Sequence, residues 1–112
     1  MLPNERAYHL KMFILDNLVD RSVERLVDII ELLNDPDPDM GYREYLSESV
    51  TEPSLATVLE DMVRDGLIVR GTSEEFRTAV HPSLATPGEP WYGITEKGRR
   101  VWKDWKPPWE NE

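Results

Sequence analysis

Apolar side chains at Tyr8, Met12, Leu15, Val19, Leu26, Ile30 and Leu33 recur at intervals of three and four except across Ser22, the spacing of one helical face. The spacing predicts helix over residues 1–33, with Asn4 after Pro3 able to cap its start. The stripe runs either as a single helix from about Glu5 to Leu33 or breaks near Asp20 to Ser22, where a new helix can begin at Val23; a long or kinked helical region is the expectation. Met12, Phe13, Ile14 and Leu15 stand in a row, so apolar surface covers more than one side of this helix. Packing on the chain's own core and a dimer seam both satisfy that pattern.

Punctuation follows. Asn34 to Asp39 alternates aspartate with proline, which stops the helix and opens a solvated loop, because each proline disfavours helix in the residue before it. Tyr42, Tyr45 and Leu46 then predict a short helix from about Tyr42 to Val50. After the tight connection Thr51 to Ser54, Leu55, Leu59, Met62 and Val63 predict a helix from about Ser54 to Asp65, closed by Gly66 as a left-handed cap. Leu67 to Arg70 reads as a short strand, residues 71–90 as a long loop or hairpin tip, and Trp91 to Ile94 as the return strand. Thr95 caps a last helix, Glu96 to about Trp105, before a proline-rich tail at 106–112. The elements make an α+β chain, mainly α, organised as a single domain over residues 1–112.

Composition narrows the function classes. No apolar run approaches the roughly 18 to 20 residues of a membrane span, and no secretion signal is visible, so a cytoplasmic protein is expected. With no cysteine there is no disulfide, thiolate metal site or cysteine nucleophile, and the two histidines, His9 and His81, lie far apart. The aspartates of the Asn34 to Asp39 loop have a calcium-like spacing, but the loop lacks the glycine and the closing glutamate of a calcium-binding hand. Neither a metal nor another cofactor is expected. Carboxylates adjacent on a helix, such as Glu60 and Asp61, point apart and would be exposed, and no nucleophile or phosphate-loop motif is present, so the chain is not read as an enzyme.

Two phrases carry a resemblance. Ser54 to Val69, S-L-A-T-V-L-E-D-M-V-R-D-G-L-I-V, runs a helix through a glycine into a strand; Tyr92 to Trp102, Y-G-I-T-E-K-G-R-R-V-W, runs a strand through a threonine cap into a helix. Together, from about Tyr42 to Trp105, they resemble the winged helix-turn-helix superfamily, in particular small regulators of the MarR-like and PadR-like kind. The resemblance implies a winged helix with a two-stranded wing and a recognition helix at Ser54 to Asp65, from which the extra N-terminal helix and the long, proline-containing wing depart. It also implies a DNA-binding transcription regulator or accessory factor; the surplus apolar surface of the N-terminal helix adds the expectation of a homodimer formed through that helix. Carried onto this chain, the DNA-contacting positions on the recognition helix would be Thr57 and Arg64; the charge pattern adds Arg70 and Arg77 at the wing and Lys97, Arg99, Arg100 and Lys103 on the last helix as candidate phosphate contacts.

Charge qualifies that expectation. The net charge is −9, and residues 31–65 hold ten acids against Arg43 and Arg64. Carboxylates facing a phosphate backbone oppose the neutralisation that normally supplies most of the affinity. The alternative is a protein-protein interaction module in which Glu48, Glu52, Glu60 and Asp61 meet a basic partner. Duplex DNA, a basic protein and a second copy of the chain are thus the candidate partners. The last helix interleaves its bases with Trp102, Trp105 and Trp109, a pattern that either stacks nucleic-acid bases or closes a small core.

Overall fold

The computed structural model describes residues 3–35, 42, 46, 48–84 and 88–107. Its first helix, α1 (Pro3–Arg21), stops where Ser22 turns left-handed at φ 72°, its amide donating to the Leu18 carbonyl at 2.9 Å. A three-residue strand, β1 (Val23–Arg25), follows, and then a second helix, α2 (Leu26–Leu33). The continuous or kinked N-terminal helix is therefore corrected to helix, strand, helix. The physical reason is tertiary: Val23, Glu24 and Arg25 pair antiparallel with Gly93, Tyr92 and Trp91, and these sheet bonds outweigh a helical period that three residues cannot contradict. Asn4 lies inside α1, one residue past its first position, instead of capping it.

The apolar surplus of α1 is used within the chain. Leu10, Met12, Phe13, Ile14, Leu15 and Leu18 are all buried, and α1 packs against α2, β1 and residues of 52–64, 91–94 and 96–103. Beyond α2, Asn34 binds the Val50 backbone at two points, its amide donating to the carbonyl at 2.9 Å and its oxygen accepting from the Val50 amide at 2.7 Å. That clamp draws together the ends of the segment between them. Within it Tyr42, Leu46 and Val50 are buried. Of the helix expected over Tyr42 to Val50, residues 43–45 and 47 lie outside the described residues, and residues 42, 46 and 48–50 are turn, bend or irregular instead of helix; the aspartate and proline loop beyond Asp35 lies wholly outside the described residues.

The third helix, α3 (Glu52–Arg64), starts two residues before the expected Ser54. Thr51 caps it by accepting from the Ser54 amide at 3.3 Å, and Pro53 sits in its first turn, where the missing N–H costs nothing. Leu55, Leu59 and Met62 face the core. Its end is a Schellman closure: Gly66, at φ 77°, donates to Val63 and Leu67 donates to Met62. The chain then enters β2 (Ile68–Gly71) and returns in β3 (Trp91–Ile94), register Ile68↔Ile94 to Gly71↔Trp91. The sheet is three-stranded, in the order β1-β3-β2, so the expected two-stranded ribbon gains β1 as a third member.

The hairpin tip is not open. Thr72 and Glu75 bond each other's amides reciprocally at 3.0 and 3.1 Å, which begins a series of turns over 72–79, and a single 3-10 turn covers Pro82–Leu84. The last helix, α4 (Glu96–Lys103), is shorter than expected. Thr95 caps it by accepting from the Gly98 amide at 3.0 Å, and the same hydroxyl donates to the Gly66 carbonyl at 2.6 Å. One side chain thus fastens the start of α4 to the end of α3. The result is an α+β chain, mainly helical, and no helix among the described residues is long and apolar enough to cross a membrane.

Candidate functional site

Helix α3 turns Leu55, Leu59 and Met62 inward, and the 3.6-residue period then puts Thr57, Glu60, Asp61 and Arg64 on the opposite side. Thr57 donates its hydroxyl to the Pro53 carbonyl at 3.1 Å, and Arg64 is held by the Asp61 carboxylate. The only base on that face is thus partly neutralised from within its own helix. Glu52 and Glu60 are exposed beside it, as is Glu48 just before the helix, so the face is acidic as the sequence implied.

Helix α4 has the opposite sign. Gly98 and Trp102 face inward, which leaves Arg99, Arg100 and Lys103 together on the outer side with Glu96. None of these three cations has an ion-pair partner among the described residues. Lys97 stands apart from them, because its ammonium donates to the Asp65 carbonyl at 2.7 Å, where a cation complements the negative end of α3. Arg70 on β2 and Arg77 in the connection are exposed, but Glu74, Glu75 and Glu89 surround the same hairpin.

The tryptophans settle differently from a base-stacking platform. Trp102 donates its indole N–H to Asp16 of α1 at 2.9 Å, and Trp105 is buried with its ring 6.0 Å from Phe13. Trp109 lies outside the described residues. Asp16 also receives the Tyr42 hydroxyl, so one carboxylate ties α1, α4 and the segment before α3. Burial, with the Asp16 hydrogen bond and charge adding to it, pushes the Tyr42 pKa upward and keeps the phenol protonated as donor. Residue-type reasoning missed this knot. Its signal was Asp16 and Asn17 interrupting an otherwise apolar run from Met12 to Leu18.

A cleft of about 540 Å³ lies between the end of α1, β1, α2 and the residues around the 3-10 turn. Arg25 closes one side, 5.4 Å from the Trp91 ring, with its guanidinium 2.9 Å from Asp28 and 3.8 Å from Glu89. Glu24 is raised in pKa, first by burial and then by the nearby Asp28, against the lowering influence of Arg21 and Arg25. No local pattern of residues announces this cleft, because β1, which forms one of its walls, depends on pairing with β3. Comparison with protein-family models, with curated proteins and with solved structures gives no match.

Proposed function

We propose that this chain is a winged-helix regulator or accessory factor that contacts duplex DNA through the outer face of α4, with α3 turned away from the phosphates. The order of elements carries the fold part of the proposal. A helix leads through β1 to α2, α3 feeds a β2–β3 hairpin directly, and β1 bonds to β3, which supports the arrangement implied by the two sequence phrases. Three cations on one face of α4 supply a patch able to bind phosphates electrostatically. Fluorescence anisotropy with a mixed-sequence duplex at about 20 mM salt tests this. Binding at tens of micromolar protein or tighter is expected, near the weak end of the range for sequence-independent contacts. A flat titration under those conditions rejects the DNA contact.

A second reading rests on a different observation. Because Arg64 is taken up by Asp61, the exposed face of α3 leaves Glu52 and Glu60 without an ion-pair partner among the described residues, and it suits a basic protein surface. A protein partner would then lose affinity in the double variant Glu60→Lys, Asp61→Lys, whereas DNA affinity would rise.

A further inference from the structure

We propose that the cleft bounded by α1, β1, α2 and residues 79–84 is a binding site for a small uncharged molecule that presents carbonyl oxygen to two buried N–H donors. Those donors are the Asn17 side-chain amide, from α1, and the Trp91 indole N–H, from β3. Both residues line the cleft and both are more than nine-tenths buried, and neither donor nitrogen, each covered from solvent, finds an acceptor among the described residues. A buried donor without an acceptor is destabilising, and native chains keep few of them. Two from distant parts of the sequence, on residues that line one cavity, are a pattern that a ligand oxygen would resolve once the cavity wall opens to admit it.

The remaining walls define the class of molecule. Leu32, Val80 and Leu84 supply apolar surface, suited to an aromatic or aliphatic body, and the volume lies within the range of small-molecule sites. Anions are disfavoured. Arg25 is already engaged by Asp28 and Glu89, while Glu24 and Glu31 add negative charge to the lining. A carboxamide or ketone on an apolar ring meets both requirements, acceptor oxygen without charge.

The test uses the full chain labelled with nitrogen-15 and benzamide as probe, reading the Trp91 indole and Asn17 side-chain amide signals. A fragment of this size is expected to bind at about 1 mM, with saturating shifts of both signals. Benzoate, charged at the same position, and benzene, without the oxygen, should each bind at least about ten-fold more weakly. Asn17→Leu removes one donor while keeping an apolar side chain of similar size, and it should weaken benzamide about ten-fold with dispersed backbone signals retained. Trp91→Phe, followed at the Asn17 amide, gives the same information from the other wall should the first variant lose its fold. The proposal is overturned by the absence of a saturating shift up to about 20 mM benzamide, by benzoate binding as well as benzamide, or by affinity unchanged in the folded variants.

Discussion

At Gly98 a single hydrogen atom decides whether α4 can dock. A β-carbon there would lie 2.2 Å from the Leu67 carbonyl oxygen and 2.8 Å from the Ile94 side chain, and backbone cannot yield as a flexible side-chain tip can. Gly98→Ala is therefore expected to cost about 1 to 3 kcal/mol or more in denaturant unfolding; a variant as stable as the parent would show that α4 does not sit against Leu67 and Ile94. Glu24 offers a second measurement, with the opposite sign to most carboxylates. Its folded pKa is raised above the ordinary value of 4.5 by burial and by Asp28, so the stability it contributes is fully present below that value. It is lost as pH rises through the raised folded value. Glu24→Gln should match or exceed the parent in stability at pH 7, with its advantage shrinking as pH falls toward 4.5, and thermal unfolding across that window checks it.

Between elements the informative residue is Ser22, which holds the left-handed conformation that separates α1 from β1. A non-glycine residue there costs of order 1 kcal/mol, so Ser22→Gly should stabilise the chain modestly, by about 0.5 to 1 kcal/mol after allowance for the freer unfolded backbone. Destabilisation by that substitution would mean the turn is not left-handed. The same residue marks where the sequence was hard to read. Gly66, Thr95 and the apolar positions of α3 announce themselves locally, because a cap or a helical stripe needs only neighbours within a few residues. Trp91 to Ile94 was legible for a similar reason, being bounded by Pro90 and Thr95. By contrast β1 exists because Val23 to Arg25 pair with residues more than sixty positions later, and no local period encodes that. The basic face of α4 could be foreseen from Lys97 to Lys103. For Trp102 and Trp105 the sequence left base stacking and core closure both open, since the inward turn depends on Asp16 and Phe13 of α1.

Across the whole molecule the chain separates its charges, acids on α3 and cations on α4, and this separation makes duplex binding quantitatively testable. Each phosphate neutralised on duplex DNA contributes about 0.9 to the slope of log affinity against log salt. With Arg99, Arg100 and Lys103 as contacts, the expected slope magnitude is about 2 to 3, and changing all three to alanine should flatten it nearly completely. The substitutions touch exposed side chains without ion-pair partners among the described residues, so folding stability should move little. Lys97→Ala is the internal comparison. Its ammonium serves the α3 carboxyl end, so it should lower stability more than it alters the salt slope. The double variant Glu60→Gln, Asp61→Asn completes the set by removing repulsion without adding contacts. Should that variant lose DNA affinity, the acidic face would be reading the duplex directly, and the assignment of the contact to α4 would have to be abandoned.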